Sequence, residues 1–410
     1  MHLSSELEIV KAIESVVAEA PRIVVSGNLA TPWRLVELLE RASPTSVVFV
    51  LNPHPGWSEG TGIRIETPFV GPGCRDRVRI EYLPMRLSLV PRLFESTRPP
   101  DVVLVQTTPP RGNRVSLGIE VNILPAAIES VRRRSGLVVA QVNERMPYTY
   151  GDGELDVDWI DLALEDDSTL PQTERLAMDD ASGEIAGRIA SYAYDGGTIQ
   201  AGIGKIPDAA LARLQSLHEL GVWSEMVSDG VMELEHAGSL DKSRPITATF
   251  LCGTTELYDW ANENDRLLMR RTEIVNDPGR ISSQPAMLSI NAALEVDLYD
   301  QANASYVNGE IYSGFGGQPD FVSGSLHSNG GHAVIALRSW HDRTDKSTII
   351  PVLASPATSF QHSVVVTEHG AAELFGHSEP EQTDLLISSA ADPRARDELR
   401  QAARRMHLVK

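Results

Sequence analysis

The chain has 410 residues, and 36 Lys and Arg stand against 56 Asp and Glu, so the formal net charge is −20. This acidic balance argues against nucleic acid or an anionic membrane surface as the main partner, but a helix N-terminus can still bind a small anion. The two cysteines, Cys74 and Cys252, exclude a disulfide-rich scaffold and a four-cysteine zinc site.

No leader or membrane segment is predicted. The first residues, Met1–Glu8, contain no basic segment followed by an apolar stretch. No apolar run reaches the roughly 20 residues that a membrane span needs. We therefore expect a cytoplasmic protein without a membrane partner.

Short apolar runs alternate with segments of helical period in the first part of the chain. Ile23–Val25, Ser46–Leu51, Val102–Val105 and Leu137–Val142 are typical of buried strands, and Pro32–Leu39 and Ile123–Arg134 of helices. Strands that alternate with helices indicate parallel sheets, so we expect an α/β fold.

The second part of the chain repeats this pattern after a break. The best boundary lies between about residues 151 and 182, where an acidic, poorly periodic stretch precedes a helix predicted over Gly183–Ala193. Strands are then predicted at Thr198–Ala201, Ile246–Leu251, Val334–Leu337 and Val364–Val366, and an amphipathic helix at Asp397–His407. This organisation predicts two domains, residues 1–180 and 181–410.

A weak internal repeat favours two related domains. In Val24–Pro32 and in Ile199–Pro207, a proline follows five residues after a glycine that ends an apolar strand. Any α/β protein repeats a strand–glycine–helix unit. Duplication is therefore one of two interpretations that the pattern allows.

The segment Gln200–Asp208 predicts a strand, a glycine turn and then a helix. Glycine lets backbone N–H groups come close to a ligand, and the helix N-terminus favours an anion or a developing oxyanion. The candidate binding residues are Gly202, Ile203, Gly204 and Lys205. A plain turn between strand and helix is the alternative.

Glu225 lies inside the otherwise apolar stretch Gly221–Gly230. A carboxylate at the end of a buried strand is costly unless it is paired or used. As a nucleophile, it could accept an acyl group and form a mixed anhydride. An edge position or a capping acid is the alternative.

Three glycines in four positions, Gly314, Gly316 and Gly317, follow the strand-like Glu310–Tyr312. Their N–H groups could stabilise an oxyanion, or the glycines could form tight turns. Further along, Ser289–Leu298 alternates apolar and polar residues, which predicts a half-buried strand. Its Glu295 and Asp297 are candidate acid–base groups, although outward-facing strand carboxylates are the simpler interpretation.

The eleven histidines do not fall at metal-ligand spacings, so we predict no metal site. The spacing Gly-x-Ser-x-Gly occurs at Gly56–Gly60, but Pro53 and Pro55 separate it from the preceding strand, so we expect no nucleophile elbow of a serine hydrolase.

Taken together, these segments resemble the acetyl-CoA hydrolase/transferase family, and within it the 4-hydroxybutyrate CoA-transferase type. The resemblance runs from about Ile23 to Arg396 and rests on several short blocks in a fixed order. The blocks are Gly27–Pro32, Phe69–Pro72, Val142–Pro147, Gln200–Pro207, Ser224–Gly230, Ser289–Asn291, Ser313–Phe321 and Val365–Gly370.

The resemblance implies two related open α/β domains of the CoA-transferase superfamily with the active site between them. It implies that Glu225 is the nucleophile and that the region of Gly314, Gly316 and Gly317 supplies an oxyanion donor and contacts CoA. By analogy alone, His54, Asn143 and Met146 are candidates for the acyl pocket.

The implied reaction moves CoA between a short-chain acyl-CoA, of the 4-hydroxybutyryl, butyryl or acetyl type, and a carboxylate such as acetate. It passes through a mixed anhydride and a glutamyl-CoA thioester, and it needs no permanently bound cofactor. Because CoA is anionic, we expect a local positive patch that uses Lys205 or Arg338. We also expect a homodimer or homotetramer.

Three alternatives remain open at this stage. The same scaffold supports an acetyl-CoA hydrolase, in which water replaces the acceptor carboxylate. A catalytically silent CoA-binding protein and a sugar-phosphate isomerase on a similar α/β scaffold are the other two.

Overall fold

The computed structural model describes residues 1–16, 20–43, 45–58, 62–75, 80–174, 177–357 and 361–409. The chain divides into two compact units, each built from separate stretches. The first unit comprises Met1–Glu174, Ile246–Val275 and Tyr312–Gly316, and the second comprises Arg175–Pro245, Asn276–Ile311 and Gly317–Lys410.

The strands follow in chain order. They are β1 (His2–Leu3), β2 (Arg22–Val25), β3 (Val47–Val50), β4 (Arg64–Thr67), β5 (Ile80–Tyr82), β6 (Val102–Thr107), β7 (Arg114–Ser116), β8 (Leu137–Asn143), β9 (Tyr150–Gly151), β10 (Glu154–Asp156), β11 (Leu162–Asp166), β12 (Thr198–Ala201), β13 (Gly221–Trp223), β14 (Met226–Val227), β15 (Ile246–Ala248), β16 (Phe250–Leu251), β17 (Leu267–Met269), β18 (Met287–Ala292), β19 (Glu295–Asp297), β20 (Ala302–Asn303), β21 (Tyr306–Val307), β22 (Glu310–Ile311), β23 (His332–Ala336), β24 (Trp340–His341), β25 (Lys346–Ser347), β26 (Ile349–Ile350), β27 (Val364–Thr367) and β28 (Gly370–Glu373).

The α-helices are α1 (Glu6–Glu14), α2 (Trp33–Ala42), α3 (Val90–Glu95), α4 (Leu124–Arg133), α5 (Asp180–Ala190), α6 (Lys205–Arg213), α7 (Asp229–Ala237), α8 (Thr255–Ala261), α9 (Thr272–Val275), α10 (Pro278–Ser282), α11 (Gln318–His327), α12 (Glu379–Leu385) and α13 (Arg396–Arg405).

The first unit contains a sheet in the order β1, β11, β8, β6, β2, β3, β4, β5, and its neighbouring strands are parallel. All six residues of β6 are buried, because a parallel sheet is covered on both faces. Helix α2 buries Leu35, Val36, Leu38 and Leu39 on one side. The predicted parallel α/β character is thereby confirmed.

In the second unit, strands β28, β27, β23, β18, β12 and β13 lie side by side in that order. Neighbours are parallel except for β28, which is antiparallel to β27. The strands β27, β23, β18, β12 and β13 therefore end at one edge, called here the carboxyl edge. In α/β sheets, ligands bind beyond this edge.

The amphipathic helix predicted near the C-terminus is present as α13. Leu399 and Ala403 of this helix are buried in one cluster with Ile335 of β23 and Val365 of β27. The apolar face of α13 thus packs on the second unit.

Three local predictions need correction. The strand predicted over Ile246–Leu251 is two short strands, β15 and β16, and the one predicted over Ser289–Leu298 is β18 and β19. The acidic stretch placed in the boundary region contains β11, which pairs with β8. The ends of these strands depend on pairing with other strands. Predictions from alternating polarity and acidic composition therefore placed them incorrectly.

The predicted domain limits, the relation between the two domains by duplication and an active site between them stay predictions. Both cysteines are buried. Among the described residues, none of the helices combines the length and the apolar character that crossing a membrane requires.

Candidate active site at the carboxyl edge

Glu225 lies just beyond β13 at the carboxyl edge of the second unit. Its strand is held in register by β12, where Thr198 pairs with Gly221 and Ile199 with Val222. The hydroxyl of the buried Ser224 donates to the carbonyl of Ala201 over 3.3 Å. These contacts fix the backbone that carries Glu225. Glu225 itself is partly buried.

The Glu225 carboxylate accepts hydrogen bonds from Asn276 and from Gly317. The side-chain amide of Asn276 donates from Nδ2 to Oε2 over 2.9 Å, and the backbone N–H of Gly317 donates a second hydrogen bond. Asn276 itself is buried. These hydrogen bonds therefore orient the carboxylate of Glu225 towards Asn276 and Gly317.

Burial raises the pKa of Glu225 to about 7. The Asn276 and Gly317 hydrogen bonds oppose this rise, whereas the negative charge of the buried Asp320 adds to it. A carboxylate with so high a pKa is a stronger base, and often a stronger nucleophile, than an ordinary one. Perturbed carboxylates of this kind cluster at functional sites.

Gly317 has no room for a side chain. A Cβ atom there would lie 1.8 Å from Oε2 of Glu225 and 2.3 Å from Nδ2 of Asn276. Gly317 is the N-terminal cap of α11, so its N–H belongs to the unsatisfied donors at a helix start. Glycine is therefore required at this position, because a side chain would keep the carboxylate of Glu225 from reaching the N–H donor.

Gly314 and Gly316 pack against residues of the first unit. A Cβ on Gly314 would lie 2.4 Å from the carbonyl oxygen of Pro68, and Gly316 has a φ of +53° against the ring of Phe69. The backbone N–H that donates to Glu225 is that of Gly317. The roles predicted for Gly314 and Gly316 stay predictions.

The glycine turn predicted after β12 is present. Gly202 and Gly204 have no atom within 4 Å of the place where a Cβ would lie, and Gly204 has a φ of +117°. Ile203 is 55% exposed, and Lys205 is the first residue of α6. The turn is open at the carboxyl edge, as a ligand-binding turn must be; whether it binds CoA stays a prediction.

The sequence did not identify Asn276 as a hydrogen-bond partner of Glu225. The local sequence Asn276–Pro278 is typical only of a turn, and Asp277 caps the short helix α10 by accepting from the Arg280 N–H over 2.8 Å. Asn276 stands 51 residues from Glu225 in the chain. An asparagine just before a capping aspartate was the available signal, and it is a weak one.

The carboxylates of Glu295 and Asp297 take part in local structural hydrogen bonds. Asp297 is buried, and its side chain accepts backbone N–H groups from Tyr299, Gln301 and Leu353. The expectation that it faces outward is wrong, because it fixes the loops after β19. Glu295 accepts from Nδ2 of Asn303 over 3.2 Å.

The residues proposed for an acyl pocket lie in the first unit. Asn143 is buried and donates its amide to Gln106 and to the carbonyl of Ser168. Met146 is also buried and lines a cavity of about 610 Å³. Burial lowers the pKa of His54. Their role in acyl binding stays a prediction.

No group of three or more His, Cys, Asp or Glu residues in the described part of the chain is arranged to hold a metal ion.

The fold and the strand-end glutamate define an α/β enzyme with a candidate carboxylate nucleophile, and comparisons with known proteins assign its family. The N-terminal domain of acetyl-CoA hydrolase/transferase matches residues 52–171, and the C-terminal domain matches residues 253–403. The chain belongs to the acetyl-CoA hydrolase/transferase family, and its enzyme class is that of the CoA-transferases.

Individual relatives support this assignment. The chain is 38% identical to a 4-hydroxybutyrate coenzyme A transferase of Clostridium kluyveri, over 81% of this chain and 80% of that protein. It is 31% identical to an acetyl-CoA hydrolase of Saccharomyces cerevisiae, over 67% and 56% of the respective chains. The solved 4-hydroxybutyrate CoA-transferase of Porphyromonas gingivalis matches with a TM-score of 0.81 at 27% identity, covering 99% and 98%.

Proposed function

We propose that the protein transfers CoA between a short-chain acyl-CoA, of the 4-hydroxybutyryl, butyryl or acetyl type, and a carboxylate such as acetate, with Glu225 as nucleophile. The observation that carries this proposal is the Glu225 carboxylate beside Asn276 and the Gly317 N–H. The relatives named as CoA transferases support the substrate class.

In the first step, ionised Glu225 attacks the thioester carbonyl of the acyl-CoA. A new C–O bond forms while the carbonyl electrons move to oxygen, and N–H donors at the carboxyl edge stabilise this oxyanion. Collapse of the tetrahedral intermediate breaks the C–S bond. The products are an acyl-glutamyl anhydride and the CoA thiolate.

In the second step, the thiolate attacks the glutamyl carbonyl of the anhydride. Asn276 and Gly317 already donate to this carboxyl group, so they are placed to polarise it as the new C–S bond forms. The original acyl group leaves as a free carboxylate. The enzyme then carries CoA as a glutamyl thioester.

In the remaining steps, an acceptor carboxylate attacks the glutamyl thioester, and the same sequence runs in reverse. Electrons and atoms balance without a redox partner, since carboxylate attack forms a C–O bond and breaks a C–S bond, and thiolate attack does the reverse. Water must be kept from the anhydride, because its hydrolysis would turn the transferase into a hydrolase.

Acetate dependence tests this proposal. We expect purified protein given butyryl-CoA and acetate to form acetyl-CoA and butyrate, and to release little free thiol without acetate. Glu225→Gln should abolish this transfer. The matched control is Glu295→Gln, because Glu295 also accepts from an asparagine amide in the second unit; it should retain the activity.

A rate of free-thiol release that does not depend on acetate would contradict the proposed transferase activity. It would favour acetyl-CoA hydrolysis, the activity for which one relative is named. Full activity in the Glu225→Gln variant would overturn the proposed role of Glu225.

A further inference from the structure

Two cations from different strands of the second unit converge on one carboxylate. Nζ of Lys205 lies 3.4 Å from Oδ2 of Asp179, and a guanidinium nitrogen of Arg338 lies 2.5 Å from the same oxygen. Lys205 follows β12 and Arg338 follows β23, and only β18 lies between these strands. The three side chains therefore meet at the carboxyl edge, where Glu225 also lies.

The aspartate is fixed from its own side. Asp179 is the N-terminal cap of α5, and its Oδ1 accepts the N–H of Ser182 over 3.0 Å. This hydrogen bond, with Arg338 and Lys205 nearby, lowers the pKa of Asp179 to about 2. The group is thus an anion held in front of two cations.

We infer that Asp179 is a built-in competitor for the phosphate-binding cations, so that CoA must displace it from Lys205 and Arg338. This inference rests on the proposed function, which supplies CoA as the substrate. A phosphate carries more charge than a carboxylate, offers more oxygens, and suits the forked donors of arginine. A substrate phosphate therefore outcompetes the aspartate when it arrives.

The ion pairs are suited to exchange. The side chains of Asp179, Lys205 and Arg338 are 35%, 44% and 40% exposed, and ion pairs at such exposure are weak. Arg338 has a second acidic neighbour, Asp342, at 3.7 Å. In a chain of net charge −20, these acids keep the cation pair neutralised until a stronger anion binds.

Asp179→Asn separates charge from structure, because asparagine caps a helix as well as aspartate does. We expect this variant to bind CoA more tightly, with KM for acyl-CoA lowered about three- to tenfold at low ionic strength. The gain should shrink at high salt, since screening weakens exposed charges. kcat should remain within about twofold, because Asp179 is outside the catalytic set.

The measurements are KM for acetyl-CoA, calorimetric binding of CoA, and KM for the phosphate-free acetyl thioester of N-acetylcysteamine. Only the first two should change in Asp179→Asn. Asp195→Asn is the charge control, because Asp195 accepts the N–H of His218 before β12 and does not contact the cation pair. This control should leave all three values unchanged.

An unchanged or raised KM for acetyl-CoA in folded Asp179→Asn would overturn the inference, as would an equal change with the phosphate-free thioester. Wild-type protein that turns over acyl-CoA, paired with such a result, leaves the proposed function standing. Wild-type protein that neither binds CoA nor transfers it overturns both.

Discussion

At the scale of single residues, the role proposed for Glu225 makes the activity depend on the ionisation of its side chain. Only the carboxylate form can attack a thioester, and burial raises the pKa of this group to about 7. We predict that kcat/KM for acyl-CoA rises about tenfold per pH unit below that value and levels off above it. Steady-state rates between pH 5 and 9 measure this profile; a rate already constant from pH 5 would contradict it.

The same pKa shift makes a prediction about stability. Because the pKa of Glu225 is higher in the folded than in the unfolded chain, its contribution to stability is present below pH 4.5 and is lost as pH rises to about 7. Glu225→Gln removes this loss. The free energy of unfolding of the variant, relative to wild type, should increase by about 1–3 kcal/mol from pH 5 to pH 8.

Urea denaturation of both proteins across that pH range measures the difference. A constant difference between the two unfolding free energies would mean that Glu225 titrates in the folded protein as it does in the unfolded chain.

The sequence supplied part of this residue-level description. Glu225 was identifiable because a charged side chain interrupts an apolar stretch, and burying such a group without a use is costly. Asn276 was not identifiable, because a hydrogen bond between residues 51 positions apart leaves no local pattern. Nor does the sequence indicate that the backbone N–H bonded to Glu225 is that of Gly317 rather than of Gly314 or Gly316; which of these glycines donates to an oxyanion stays a prediction.

At the scale of elements, the start of α11 sets the geometry of the site. Gly317→Ala would place a Cβ 1.8 Å from Oε2 of Glu225, so the carboxylate or the helix start must shift. We predict a loss of transferase activity of at least about 100-fold, comparable to the loss of one oxyanion donor, in a protein that still folds.

Gly187→Ala is the control for this substitution. Gly187 is an exposed residue within α5, and nothing lies within 4 Å of its Cβ position. Because alanine favours helix more than glycine, this variant should retain activity and gain about 0.5–1 kcal/mol of stability. Activity assays and thermal unfolding compare the two; wild-type activity in Gly317→Ala would show that the site tolerates a Cβ beside the Glu225 carboxylate.

Most elements were predictable, whereas their limits were less so. Runs such as Val102–Val105 are apolar throughout because parallel strands are buried on both faces. By contrast, β11 lies in an acidic stretch and is a strand because it pairs with β8. Local composition does not contain that information.

At the scale of the whole molecule, the chain order does not match the compact units. The segments 246–275 and 312–316 belong to the first unit although the second unit precedes each of them in sequence. Periodicity reports which elements form, but not which later element returns to an earlier unit. The family assignment was accessible from sequence because it depends on ordered blocks rather than on spatial grouping.

The most direct test of the account is whether CoA becomes attached to Glu225. Intact-protein mass spectrometry after incubation with acetyl-CoA and no acceptor, followed by borohydride reduction and peptide mapping, measures this. We predict a CoA-sized adduct that is lost on reduction and maps to Glu225. Steady release of free CoA without an adduct, or an adduct at another residue, would contradict the glutamyl-thioester mechanism.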